Sequence, residues 1–385
     1  MGRSLQARVD QAALLHNLHR VKEIAPGRSI IAMVKANGYG HGLVEVAKIF
    51  KNADALGVAS IEEAIELRQA GIKSRIVLME GFVSEQGLKN IFTWQLETVI
   101  HQSFQIDLLE KHANSKVTAW VKLNTGMNRL GFAGKDFFAN FDRLSNCCDI
   151  KGIITHFSDA DVIHNPKTRQ QLAKFSDIQA RMSKSYPCSL ANSAAILAWP
   201  ETHGDWVRPG LMLYGVSPFK DSFGHTFNLK PAMNLVAKLI AIQMVNKNET
   251  IGYTSRFTCP EDMRVGVISI GYADGYPSIV PDGTPVLIHN RRTSVIGKLS
   301  MDMATIDLRC HPEAKVGDEV VLWGDGLPVE EIAQKIGVIP WELLTSLGTR
   351  VTRVYVNSQS PSAELSSTER FSYGNTEGQV AGSEL

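Results

Sequence analysis

The chain has 385 residues, is 44% hydrophobic, and carries 40 basic against 39 acidic side chains, a formal net charge of +1. That length accommodates two or three domains with a large core. The balanced charge implies no polyanion partner, and no basic run is interleaved with aromatics, so no nucleic-acid ligand is expected. The five cysteines form no CxxC pair, and Cys147 and Cys148 are adjacent, which suits neither a zinc site nor a disulfide framework. Reduced thiols, a cytoplasmic location and no metal are the expectation. The N-terminal stretch MGRSLQARVDQAALLHNLHRV has no long apolar region of a signal peptide. No segment approaches the roughly 20 apolar residues of a membrane span.

From about residue 10 to 225, short apolar runs alternate with longer amphipathic ones. The runs are IIAMV (30–34), ALGVA (55–59), IVLM (76–79), ETVI (97–100), VTAWVKL (117–123), IKGIITH (150–156), CSLAN (188–192) and WVRPGLMLYG (206–215). Their β-branched content reads as buried strands. Segments such as VDQAALLHNLHRVKEI and IEEAIELRQAG show helical spacing between them. Eight strands alternating with helices predict a (β/α)₈ barrel over residues 1–228, with a doubly wound sheet as the competing arrangement. Pro209 and Gly210 interrupt the last run. From about residue 230 the runs NLVAKLIAIQMV, RVGVISIGYADG, TPVLIHN, RTSVIGKL, MATIDL and DEVVLWG have little helix between them. They predict a mostly-β C-terminal domain over residues 229–357, with residues 1–9 pairing with it. Residues 358–385 are poor in aliphatics and rich in Ser, Glu and Gly, and read as a disordered tail.

A barrel exposes its chemistry at the C-terminal ends of its strands. There the sequence sets Lys35, Lys122 with Arg129 beyond it, His156, Asn192 with Ser193, and Arg208. Each alone has an ordinary explanation as a solvated strand end or a rim residue. Together they form a cluster of cations at one end of the barrel, which calls for an anionic ligand. A lysine desolvated among cations becomes a usable amine nucleophile. An amine beside a phosphate site points to a Schiff-base enzyme holding pyridoxal phosphate, or to a sugar-phosphate aldolase. The aldolase reading leaves the second, β-rich domain unexplained.

VKANGYGHG, VKLNTGMNRLGF, THFSDAD, ANSAAIL, VRPGLMLYG, SIGYADGYP and SMDMATID follow one another in an order that resembles the alanine racemases, over roughly residues 5–356. The resemblance implies a (β/α)₈ barrel with a β-rich C-terminal domain, pyridoxal 5'-phosphate, and a head-to-tail homodimer. By that likeness Lys35 resembles the cofactor-bound lysine, and Tyr39 the tyrosine that bonds its phosphate. Ser193, the backbone of Gly210 and Leu211, and Tyr355 resemble the rest of the phosphate cup. Many relatives have proline in place of Thr352, two positions before Arg353-adjacent Val354 and ahead of that tyrosine. Arg208 resembles the arginine that faces the pyridine nitrogen, supported by His156. Arg129, with the backbone at Met301, resembles the substrate-carboxylate ligand, and Lys122 a lysine that is often carbamylated. Tyr253 resembles the second catalytic base, supplied across the dimer interface. Asp161 and Tyr272 resemble gate residues. Ser300 stands where many relatives have cysteine, and Asp302 is left without a role.

The implied reaction is two-base interconversion of L- and D-alanine, which supplies D-alanine for peptidoglycan or consumes it. A racemase for serine or for many amino acids fits the same motifs. A barrel-type decarboxylase would keep an acidic partner for the pyridine nitrogen, against Arg208. A cofactor carrier built as a lone barrel would lack the second domain and Tyr253.

Overall fold

The computed structural model describes residues 5–112 and 116–357. The expected tail at 358–385 and the first four residues lie outside them. The chain opens with β1 (Gln6–Asp10) and helix α1 (Gln11–Ile24), capped by Asp10, whose carboxylate accepts from Ala12 and Ala13 N–H. Then β2 (Ser29–Met33), a tight turn α2 (Lys35–Tyr39), α3 (Leu43–Ile49), β3 (Ala55–Val58), α4 (Ile61–Gln69), β4 (Ile76–Leu78), α5 (Glu85–Thr93), β5 (Glu97–Ile100) and α6 (Ser103–Lys111) alternate. The alternation continues through β6 (Val117–Lys122), α7 (Gly134–Cys147), β7 (Cys148–Ile154), α8 (Lys167–Ala180), β8 (Cys188–Ser189), α9 (Ser193–Ala198) and β9 (Trp206–Val207). Among the described residues β2 to β9 are parallel neighbours in sequence order, and β9 returns to β2 through Ser29 opposite Trp206 and Ile30 opposite Val207. This closed barrel is the (β/α)₈ fold expected from the runs, and the doubly wound alternative is set aside.

Two apolar layers sandwich the strands. Ile31, Met33, Ala55, Val77, Val99, Trp120, Ile154 and Trp206 fill the barrel, while Ile30, Ala32, Leu56 and Val121 face the helices. Successive strand residues point to opposite faces, so both parities must be apolar. That is why these strands read as continuous runs rather than as alternating ones.

The second domain begins with the long strand β10 (Met233–Val245), followed by the hairpin β11 (Thr250–Ile251) and β12 (Phe257–Thr258). Then come β13 (Met263–Ile268), β14 (Thr284–Ile288), β15 (Arg291–Ile296), β16 (Ala304–Asp307) and β17 (Glu319–Trp323). Helices α10 (Val329–Ile336) and α11 (Pro340–Thr345) and the last strand, β18 (Thr352–Val356), complete it. Its sheet runs β13-β16-β15-β14-β17-β10-β1-β18. The N-terminal strand thus sits inside this sheet, antiparallel to β10 and parallel to β18. Across it, the Arg8 guanidinium pairs with Glu319, which also takes Lys238 at 3.1 Å. No helix among the described residues is long and apolar enough to cross a membrane.

Candidate active site

Strand parity builds the upper layer of the barrel. Ile31 and Met33 point inward, and Lys35 follows at the same parity; Trp120 leads likewise to Lys122, Ile154 to His156, and Trp206 to Arg208. The sequence reading put Arg208 within a strand. It instead lies one residue beyond β9, where Pro209 has no N–H to extend the ladder. Its backbone still follows the barrel wall, because Arg208 N donates to Ala191 O at 2.9 Å and Met33 N to Pro209 O at 3.0 Å.

Arg208 is 3% exposed. Its guanidinium donates to Ser189 Oγ at 2.6 Å, to the carbonyls of Thr155 and Leu190, and to His156 Nδ1 at 3.3 Å. Burial lowers its pKa to about 9, so it stays protonated at neutral pH. A protonated donor at Nδ1 makes His156 the acceptor there, hence neutral, with its own proton on Nε2. Burial, then Arg208, Lys122, Arg129 and Lys35 in that order, hold His156 well below the usual histidine range. Lys122 is pushed down for the same reasons: burial first, then Arg208, Arg129 and Lys35. A neutral amine there is the form that reacts with carbon dioxide. Gly131 presses close to Lys122: a Cβ at that position would sit 2.8 Å from Lys122 Cγ, and its φ is +112°. This approach folds the loop carrying Arg129, which is itself exposed, back over β6.

The second cluster is the cup beside Lys35. The turn after β2 is left-handed: Ala36, Asn37, Gly38 and Tyr39 have φ of 54°, 54°, 59° and 50°. For non-glycine residues this costs on the order of 1 kcal/mol each, so other contacts must hold it. Asn37 Oδ1 accepts from Leu43 N at 2.9 Å. Arg353 donates to Gly40 O, and Tyr355 OH to His41 O at 2.9 Å, both reaching across from β18. The result brings the Tyr39 phenol over Gly210, where a Cβ would lie 2.5 Å from its oxygen. Burial raises Tyr39 to about 12, so it is a protonated donor. Ser193 Oγ accepts from Gly210 N at 2.9 Å and Met212 N at 3.3 Å. Gly42 has φ +101°, and a Cβ there would come within 1.9 Å of Tyr355 OH. At both Gly42 and Gly210 the atom nearest to such a Cβ is a phenol oxygen, so neither position admits a side chain.

Other expected residues lie elsewhere in the single chain. Tyr253 is 66% exposed on a short turn between β11 and β12, and no hydrogen bond or ring contact joins it to a barrel residue among the described residues. Tyr272 and Met301 are 45% and 53% exposed and belong to one knot, in which Tyr272 N donates to Ser300 O and Ala273 N to Met301 O. Arg350 pairs with Asp302 at the edge of that knot, which supplies a structural reason for a residue left without one. Asp161 sits on an exposed turn after β7. Sequence reasoning missed His41, Glu63, Tyr214 and Arg353, all of which support the turn after Lys35. The signature Ser60-x-x-Glu63 was readable as a capping box.

Fold and site together define a closed (β/α)₈ barrel with a lysine just beyond its first barrel strand and a cluster of polar side chains beside it. Residues 9–218 match the family model for the alanine racemase N-terminal domain, and residues 232–355 that for the alanine racemase C-terminal domain. The chain is 45% identical to an alanine racemase of Shewanella sediminis, over 90% of this chain and 97% of that one. It is 46% identical to one of Aeromonas hydrophila, over 91% and 99%. Among solved structures, the biosynthetic alanine racemase of Pseudomonas aeruginosa superposes with a TM-score of 0.88 at 41% identity, covering 92% of this chain and 100% of that one. The enzyme of Bartonella henselae, described with covalently bound pyridoxal phosphate, gives 0.84 at 28% identity, covering 92% and 99%. The chain belongs to the alanine racemase family.

Proposed function

We propose that this protein interconverts L- and D-alanine on pyridoxal 5'-phosphate, with Lys35 and Tyr253 as its two bases and Tyr253 contributed by a second copy of the chain. The observation that carries this reading is Arg208: buried, hydrogen-bonded to Ser189, Thr155, Leu190 and His156, and given no carboxylate partner among the described residues. A cationic donor facing the pyridine nitrogen of a bound cofactor would leave that nitrogen unprotonated. A decarboxylase of this architecture would want an acid there.

The donor set fits the cofactor. The phenol of Tyr39, Ser193 Oγ and the Leu211 amide would hold the phosphate, joined by the Tyr355 phenol and the Gly210 amide on exchanging their present bonds to His41 O and Ser193 Oγ. When bound, pyridoxal phosphate links through its aldehyde to an amine and draws electrons from the substrate α-carbon, which makes the α-proton removable. Lys35 would take or return that proton on the D face, and Tyr253 on the L face. Arg208 would limit how much charge leaves the α-carbon, which would disfavour side reactions. Arg129 and the Met301 backbone orient the substrate carboxylate. Burial and the neighbouring cations push the Lys122 amine well down from the usual lysine range, and as a carbamate its negative charge would hold Arg129 where an ammonium would repel it. Tyr272 and Asp161 border the entrance.

Tyr253, Tyr272, Met301 and Met303 are large apolar side chains left exposed in the single chain, which supports a homodimer with shared sites. The five free cysteines among the described residues support a cytoplasmic location. Chiral assay of purified protein against a panel of L-amino acids tests the substrate. Rapid racemisation of alanine with much slower turnover of larger amino acids is expected; equal turnover of bulky and small ones would overturn the alanine assignment.

A further inference from the structure

The Glu63 carboxylate joins two loops of the barrel end. One oxygen, Oε2, accepts from Ala59 N at 2.9 Å and Ser60 N at 3.5 Å, closing the capping box at the start of α4. The other, Oε1, accepts from Ala36 N at 2.6 Å and Asn37 N at 3.4 Å. A capping box needs only the contact from Ser60 N. The second pair reaches across to the left-handed turn that follows Lys35. The Ala36 N–H belongs to the same peptide plane as the Lys35 carbonyl, so fixing it fixes ψ of Lys35. That angle fixes the turn that brings Tyr39 to the cup while Lys35 keeps the inward parity of Ile31 and Met33. The carboxylate itself is held by the backbone donors Ala59 N and Ser60 N, which do not depend on the Ser60 hydroxyl. A charged acceptor to backbone N–H groups is a strong anchor, and this turn, with Ala36, Asn37 and Tyr39 all at positive φ, requires one.

We propose that Glu63 is a positioning residue for Lys35, holding the Lys35–Ala36 peptide so that the amine and the Tyr39 phenol address the same cofactor. This rests on Lys35 being the cofactor lysine. No other side chain accepts from Ala36 N or Asn37 N among the described hydrogen bonds.

The test uses purified full-length protein carrying Glu63→Ala, Glu63→Gln, Ser60→Ala or Lys35→Ala, dialysed against a graded series of pyridoxal 5'-phosphate. Retained cofactor is read from visible absorbance and its attachment from borohydride fixation to the chain; unfolding midpoints and the split between kcat and KM for alanine are measured in parallel. Glu63→Ala is expected to raise the cofactor dissociation constant about tenfold or more and to lower kcat with KM little changed. Glu63→Gln keeps the length and one acceptor but turns an amide toward N–H donors, so it falls between, and it keeps the proposal testable if the alanine variant does not fold. Ser60→Ala removes the helix cap alone, so it is expected to lower the unfolding midpoint and leave cofactor retention and kcat as they were. Retention within about twofold of the unmodified protein in both Glu63 variants would overturn the proposal, as would Ser60→Ala weakening retention as much as Glu63→Ala. Borohydride-fixed cofactor surviving in Lys35→Ala would overturn the reading of Lys35 instead, which separates the two failures.

Discussion

The ring of Tyr39 lies on the ring of Tyr214, with centroids 4.8 Å apart and planes 26° from parallel. Tyr214 is 1% exposed, its hydroxyl donates to Met33 O at 2.9 Å, and its other side meets His41 at 4.7 Å. One side chain therefore braces both the strand end that precedes Lys35 and the phenol expected to bond phosphate.

Replacing Tyr214 separates those roles. Tyr214→Phe keeps the stack and orphans a buried carbonyl, which should cost about 1–2 kcal/mol in unfolding free energy and change cofactor affinity little. Tyr214→Leu removes the stack and leaves a void, at about 2–4 kcal/mol, and should weaken cofactor binding as Tyr39 loses its support. Denaturant midpoints with equilibrium dialysis of pyridoxal 5'-phosphate check both. Equal affinity loss in the two variants would mean that the hydroxyl, not the stack, sets Tyr39.

Arg208→Lys is expected to be a harsh change despite the conserved charge. Four acceptors, at Ser189, Thr155, Leu190 and His156, converge on a planar fork, and an ammonium cannot match that geometry. Stability should fall by about 1–3 kcal/mol, and racemisation should slow by about 10²-fold or more. Thermal unfolding and a coupled D-alanine assay measure the two. A fully active lysine variant would remove guanidinium geometry from the mechanism.

The barrel was legible because its strands are apolar on both faces, and inward parity carried Lys35, Lys122, His156 and Arg208 to one end. The β-rich domain was legible from runs such as NLVAKLIAIQMV, which became β10, although its register shift between Leu239 and Ala241 has no sequence mark. The supports of the cup were not legible. Ala36 and Asn37 at positive φ look ordinary in sequence, since only glycine advertises that conformation. Glu63 reads as a helix cap, because nothing in a linear pattern says where its second oxygen points. Arg353 and Tyr355 reach the turn only because β18 pairs with β1, a contact between the two ends of the chain.

Tyr253 lies away from its own barrel end, so activity should complement between subunits. Tyr253→Ala alone should cut racemisation by about 10²–10⁴-fold, and Lys35→Ala alone should abolish it. Co-expressed with separable tags, a hybrid of the two mutant chains has one intact site, combining Lys35 of one with Tyr253 of the other. Purified hybrid should regain about half of the unmodified activity. A hybrid as inactive as its parents would place both bases on one chain.

His41 sets the last prediction. It is fully buried, and its Nδ1 faces the Tyr39 carbonyl at 2.9 Å, so Nδ1 carries the proton and Nε2 is an acceptor with no hydrogen-bond partner among the described residues. Burial pulls its pKa down to about 4; backbone carbonyls of Tyr39 and Gly38 oppose this, and Arg353 adds to it. The folded-state value is depressed below the ordinary value of about 6.5, so between the two the unfolded chain binds the extra proton. The sign follows: this contribution is fully present above pH 6.5 and is lost as pH falls toward 4, at up to about 1.4 kcal/mol per pH unit and about 3 kcal/mol in all. His41→Gln keeps a donor for the Tyr39 carbonyl and does not titrate. Other groups contribute alike to both proteins, His156 among them, so the difference between their unfolding free energies isolates His41. That difference should shrink steadily in urea titrations from pH 7 to pH 4.5. A difference that stays constant with pH would show that His41 is protonated in the folded chain, with the cup reorganised around the charge.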